Sequence, residues 1–445
     1  LRLWFLQHPM LPDDDTDVYT ELAGNLFHHG TYGIVADGVI EPTLIRVPGY
    51  PVFLGLMFRL FGDGNFNAVL LAQIGLDLVA CWLIASFVRD QVSERAGTIA
   101  IFVGALCPFT AAYSATALTE SLSVLAVSLG LWSTSRLLAA QAQGKTAWAA
   151  TAYAGGAIGM AMLLRPDGVL LGASIAAAIV WYGWQQRQLV LCTRNAMVCG
   201  AIAMFMLVPW TVRNWRTFHV VQPLAPRRVN DPGEYVTYGF YQWMNTWSVD
   251  IVSTGSVFWN VGSDKIDIND LPVRAFDSAA QRHETAALLD EYNAKKTVTP
   301  ALDAKFAALA HERIRNHPLR CLVWVPVLRV LDMLLRPRTE TLSLEADWWR
   351  FAASRSHMIE TAVLGILNVS LVLLGIAGMR RLRWMVLPLT YVILRCLLLS
   401  TMENSEPRYT LEMLPIWSAA AACALALRLV PVPKPVWIPS EEVPA

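Results

Sequence analysis

Apolar residues run on for roughly the length of a bilayer at nine places, approximately 67–88, 97–115, 118–138, 147–164, 168–186, 195–212, 359–379, 384–400 and 411–430. A helix needs about 20 such residues to cross the hydrocarbon layer, so each stretch predicts a spanning helix. The opening LRLWFLQ is too short to cross and reads as the tail of a first helix, which brings the expected crossings to ten. Two further apolar stretches read differently. PLRCLVWVPVLRVLDMLLR (318–336) holds Arg320, Arg329, Asp332 and two prolines, and PGYPVFLGLMFRLFG (48–62) is short and interrupted by Arg59. Both are expected to lie along or dip into a membrane face.

Positive residues in short loops stay on the cytoplasmic side. Alternate loops carry Arg89 and Arg95, Arg136 and Lys145, Arg187 and Arg194, then Arg380, Arg381 and Arg383, and these mark the inner turns. If 318–336 crossed, the last of these turns would be exported, which supports the interfacial reading. The loop 13–66, the long segment after 212 and TMENSEPRY (401–409) then emerge on the non-cytoplasmic face. The long segment has an aromatic first part, GEYVTYGFYQWMNTWSVD (234–250), and a helical second part in which Leu302, Phe306 and Leu309 recur at spacings of four and three. Three parts are expected: an N-terminal transmembrane module over 1–212, an external cap with its interfacial helix over 213–358, and C-terminal helices with a cytoplasmic tail over 359–445. The fold class is an all-α polytopic membrane protein.

Composition agrees: 55% of the 445 residues are hydrophobic and 16% charged, with a mean hydropathy of +0.41. That is more apolar surface than one soluble core would hide. A formal net charge of +0 gives no electrostatic reason for a nucleic-acid partner. The seven cysteines lie mostly in apolar runs without a CxxC pair and read as packing residues. His28 and His29 adjoin in a loop and no HExxH occurs, so zinc is not implied. No P-loop, GxGxxG or internal repeat is found.

The chemistry-bearing residues collect at the outer boundary. MLPDDDTDVYTEL (10–22) crowds Asp13, Asp14, Asp15 and Asp17 ahead of Tyr19, Leu22, Ala23 and Leu26. The helical spacing of the latter makes the acids the edge of an amphipathic surface helix, where an arbitrary Asp-rich stretch would be only a solvated loop. LIRVPGYP (44–51) fixes a rigid turn that presents Arg46 and Tyr50, each of which could equally be an interfacial anchor. Glu120 in TALTES, Arg165 in LLRPDG, Arg213 in PWTVRNW, and Arg408 with Tyr409 in EPRYTLEMLP occupy other outer turns, where ordinary helix-end chemistry is the competing explanation. Deeper in the apolar runs, Asp77 and Arg395 are expected to form a structural ion pair between helices.

Taken in order, DDTDVYTELAGNLFHHGTYG, IRVPGYPVFLGLMFRLFG, the Gln73-containing helix, ALTESL, LLRPDG, PWTVRNW and EPRYTLEMLP resemble the C-type integral-membrane glycosyltransferases, specifically the family 39 group of protein O-mannosyltransferases and lipid A aminoarabinose transferases. The resemblance spans 13–415 and implies the GT-C fold, with transfer of a hexosyl or pentosyl group from a polyprenyl-phosphate carrier to a lipid, glycan or protein acceptor. It further implies a bacterial inner membrane location with the site on the periplasmic face, and inversion at the anomeric carbon. The family's catalytic acid maps onto Asp15, with Asp14 and Asp17 as neighbours that leave the register open. Arg46, Tyr50, Glu120, Arg165, Arg213, Arg408 and Tyr409 become the residues expected to bind the donor phosphate or sugar. No cofactor is implied; a divalent cation on the Asp run is an alternative not favoured. A secondary transporter or lipid flippase using Asp77 and Arg395 is the competing class, and a catalytically inert scaffold of the same fold a third.

Overall fold

The structure, a computed structural model, describes residues 1–8, 10, 14–350 and 355–428. Its elements are overwhelmingly helical. After a short α1 (Arg2–Gln7) come α2 (Asp14–His29), a hairpin of β1 (Gly33–Ala36) and β2 (Val39–Pro42), and α3 (Gly49–Phe61). The hairpin is the only sheet among the described residues. Its turn is Asp37–Gly38, both with positive φ, the two-residue turn that Asp-Gly favours because its twist matches that of the paired strands.

The apolar runs become α4 (Phe66–Gln91), α5 (Glu94–Ala105), α6 (Pro108–Ser114), α7 (Glu120–Gln141), α8 (Trp148–Leu164), α9 (Val169–Gln185) and α10 (Leu189–Phe218). Six described helices are long and apolar enough to cross a membrane, and α5 with α6 makes a seventh, bent by 54°. The single span expected over 97–115 is therefore two helices. Pro108 supplies no N–H to continue the ladder and pushes Cys107 into an extended conformation. Helix α8, with 17 residues, and the later helix Val386–Ser400, with 15, are apolar but short, so the count of ten full crossings is not reproduced by length and composition.

Beyond α10 the chain forms the cap helices α11 (Tyr238–Asn245), α12 (Ile251–Ser253), α13 (Ala279–Lys295) and α14 (Pro300–Asn316), then α15 (Val325–Leu335). Leu302, Phe306 and Leu309 of α14 are buried together with Phe240, Trp243 and Trp247 in a core separate from that of the bundle. Helix α15 continues from a π turn over Arg320–Trp324; it exposes Val327, Leu328 and Leu331 and buries Arg329.

The bundle closes with α16 (Arg355–Met379), α17 (Val386–Ser400) and α18 (Leu414–Arg428), the last entered through a 3₁₀ turn at Pro407–Met413. Small residues allow close helix approach where lipid supplies no hydrophobic drive. A Cβ on Gly378 of α16 would run into the Ala420 carbonyl oxygen of α18. This contact holds the end of α16 against α18.

Candidate functional site

Five segments far apart in sequence meet at one end of the bundle: the first turn of α2, the 43–48 loop, the start of α7, the 165–168 turn and the 401–413 segment. Asp14, Asp15 and Asp17 lie within the first turn of α2 rather than ahead of it, where unsatisfied helix N–H groups favour carboxylates. Thr16 ties this turn to α7's approach, its hydroxyl donating to the Ala117 carbonyl at 3.2 Å.

Asp15 is bracketed by two guanidinium groups. Arg46 Nη2 donates to Oδ1 at 2.7 Å and Arg408 Nη2 to Oδ2 at 2.9 Å. Burial pushes the Asp15 carboxyl up, but the charges of Arg408 and Arg46 and their hydrogen bonds outweigh it and leave the group below its ordinary value. Burial likewise works against the charge of Arg46, and Asp15 more than restores it. The Asp15 side chain stays 20% accessible.

A second ion cluster, in which Glu120, Glu412 and Arg395 are almost fully buried, lies beside the first. Arg165 contacts Glu120 at 3.1 Å, Glu412 at 3.2 Å and Asp167 at 3.5 Å. Arg395 contacts Asp167 at 2.7 Å and Glu412 at 2.6 Å. Glu412 is 3% accessible. Buried charges survive only when paired and hydrogen-bonded, and here they form one network. Tyr409 joins the two clusters: its ring lies 5.4 Å from the Arg165 guanidinium and 5.7 Å from that of Arg408, while its hydroxyl donates to Glu406 at 2.8 Å. Glu406 in turn pairs with Arg408 Nε.

The expected residues thus sort clearly. Asp15, Arg46, Glu120, Arg165, Arg408 and Tyr409 come together. Tyr50 lies in the wall behind them, its hydroxyl donating to Gln73 Oε1 at 2.7 Å, and Gln73 donating at 2.7 Å to the Thr116 carbonyl. Asp17 is exposed and has no ion-pair partner among the described residues. The side chain of Asp14 and all of Asp13 lie outside the described residues. Arg213 stands apart: it donates to the backbone carbonyls of Thr43 at 2.8 Å and Tyr32 at 2.5 Å and packs against Trp210 and Phe218. It fastens the hairpin to α10.

Asp77 and Arg395 do not pair. Asp77 binds Arg2 of α1, and Arg395 belongs to the second cluster, because each finds an opposite charge at its own depth. Sequence reasoning missed Asp167, Glu412 and Glu406, although all three sit inside LLRPDG or EPRYTLEMLP. The available signal was an acid within four residues of a selected arginine. Among the described residues no three His, Cys, Asp or Glu side chains gather as a metal-holding group.

Residues 45–212 match the family described as dolichyl-phosphate-mannose-protein mannosyltransferase. No curated protein matches the sequence. Among solved structures the chain is similar to the oligosaccharyltransferase AglB from Archaeoglobus fulgidus in complex with an inhibitory peptide and a dolichol-phosphate. That match has 13% identity and a TM-score of 0.48, covering 94% of this chain and 46% of that one. It is also similar to ArnT from Cupriavidus metallidurans bound to undecaprenyl phosphate, at 16% identity and a TM-score of 0.38, covering 93% of this chain and 73% of that one. The chain thus spans about half the length of the archaeal protein. The matched stretch contains Arg46, Tyr50, Glu120, Arg165 and Asp167, whereas Asp15 and Arg408 lie outside it. Through residues 45–212 the chain is similar to the dolichyl-phosphate-mannose-protein mannosyltransferases, and so to the C-type membrane glycosyltransferases that its motifs resemble.

Proposed function

We propose that this membrane protein transfers a sugar from a polyprenyl-phosphate carrier to an acceptor hydroxyl on the non-cytoplasmic face, with inversion at the anomeric carbon and Asp15 as general base. One observation carries the reading: a partly accessible carboxylate held between two arginines, Arg46 and Arg408, drawn from motifs at opposite ends of the chain. A phosphate leaving group accumulates charge as its bond to the sugar breaks, and arginine forks bind such oxygens bidentately.

The same arginines that hold Asp15 make it a weak base at rest. A donor phosphate that draws Arg46 and Arg408 onto its own oxygens removes the cationic partners of Asp15 and raises its proton affinity. Asp15 then accepts the proton of the acceptor hydroxyl. That oxygen bonds to the anomeric carbon, the bond from that carbon to the phosphate oxygen breaks, and the carrier phosphate leaves with one more negative charge. The second cluster holds Arg165 and Glu120 at fixed positions beside the reacting sugar, and Tyr409 carries the connection.

Replacing Asp15 tests the assignment. Asp15→Asn keeps the shape and removes the base, and general-base catalysis is worth about 10²–10⁴ in rate. Transfer in reconstituted membranes should fall by that factor with the protein still folded. Turnover at the wild-type rate would remove Asp15 from the mechanism.

A further inference from the structure

The bundle end opposite the candidate site carries a cavity of about 1020 Å³. It opens where the turn between α9 and α10 meets the loop after α7. Helix α9 runs the whole way from one end to the other, its 17 residues spanning about 25 Å, so this cavity is separate from the ion clusters around Asp15 and Arg165.

Its lining combines two kinds of side chain. Arg187 and Arg194 contribute cationic heads, and neither has a carboxylate partner among the described residues. Arg194 is held in place, donating to Thr146 Oγ1 at 2.8 Å with its guanidinium 5.2 Å from the Trp148 ring. Arg187 sits at φ +54°, where a non-glycine residue is uncommon, and this backbone turn sets its side chain at the cavity mouth. Beside them Trp184, Leu189 and Val190 are exposed apolar surface, Val190 to 88%. The side-chain oxygen of Gln188, another lining residue, is buried without a hydrogen-bond partner, which is costly unless something donates to it. Arg89, Arg136 and Arg383 belong to the same set of basic turns in the sequence.

We propose that this cavity is a binding site for the headgroup of an anionic phospholipid of the cytoplasmic leaflet, of the phosphatidylglycerol type. The phosphate meets Arg187 and Arg194, a headgroup hydroxyl donates to Gln188, and the acyl chains run along Trp184, Leu189 and Val190. Basic pockets between helices are suited to such headgroups, because the guanidinium groups supply charge while the flanking apolar residues cover the chains. A soluble phosphate would use the arginines and leave the apolar wall wet, and a zwitterionic choline headgroup would bring no donor for Gln188.

Native mass spectrometry of the purified full chain tests this, with phosphatidylglycerol, phosphatidylcholine and inorganic phosphate as probes. Wild type should retain phosphatidylglycerol selectively, and the double variant Arg187→Asn, Arg194→Gln should bind it at least tenfold more weakly; Asn is chosen because it tolerates positive φ. Equal retention of the two lipids, undiminished binding in the double variant, or complete displacement by millimolar inorganic phosphate would overturn the proposal. A photoactivatable phosphatidylglycerol on the unsubstituted protein guards against a misfolded variant: cross-links should map to 184–194, and mapping confined to other segments would also overturn it.

Discussion

At the scale of single residues, charge placement rather than charge number organises the end of the bundle that holds the candidate site. Arg46, Arg213 and Arg408 look alike in the sequence, each within two residues of an aromatic or a proline. Arg46 and Arg408 reach a carboxylate while Arg213 reaches backbone carbonyls and the amide oxygen of Asn214. Arg408→Ala should therefore reduce transfer by about 10²-fold or more through loss of a phosphate ligand, whereas Arg213→Lys should act mainly on stability, read as a lower melting temperature with little change in turnover. Asp332 on α15 gives a pH prediction. Burial pushes its carboxyl up to about 6, against the lowering effect of Arg336, while the unfolded value is near 3.9. A raised folded value means the stabilising contribution is complete below about pH 4 and is lost as pH rises through about 6. Asp332→Asn should therefore be more stable than wild type at pH 7.5, by about 3 kcal/mol, with the difference vanishing near pH 4. A constant difference across that window would contradict the assignment.

At the scale of elements, the spanning helices were legible because twenty apolar residues in a row admit few other structures. Interruptions were less so. Pro108 lies inside 97–115 without lowering its apolar character, so the 54° bend between α5 and α6 is hidden from a hydropathy reading and evident only from proline chemistry. The hairpin at 33–42 was signalled by Asp37–Gly38 and overlooked in a chain whose bulk is helical. The membership of the two ion clusters was half legible: the motifs contained Asp167, Glu406 and Glu412, but which acid meets which arginine depends on helix packing that no spacing reveals. Gly49, at the start of α3, shows how tightly that packing is set. A Cβ there would lie 2.5 Å from the Leu163 carbonyl oxygen at the end of α8, next to Arg165. Gly49→Ala should force these ends apart and lower turnover more than it lowers carrier binding, measured as a kcat loss at near-constant KM. Unchanged kinetics would show that the approach of α3 to α8 does not position the site.

At the scale of the molecule, the polar chemistry is divided between two ends joined by apolar helices. The cap is fastened to the bundle by Arg329, whose guanidinium donates to the carbonyls of Asn245 and Ser248 in the cap and of Ser400 at the end of α17. Burial pushes this guanidinium down to about 10, so it keeps its charge at neutral pH. Arg329→Met would leave those carbonyls unsatisfied at a cost of about 3 kcal/mol, and limited proteolysis within 219–318 should become faster. The central claim is that a donor phosphate and Asp15 compete for Arg46 and Arg408. The measurement that tests it most directly is the affinity of polyprenyl phosphate for wild type and for Asp15→Asn, alongside transfer by each. The account predicts that the variant binds the carrier phosphate more tightly, having lost the competing carboxylate, and yet transfers sugar at least a hundredfold more slowly. Weaker or unchanged carrier binding in the variant would contradict it.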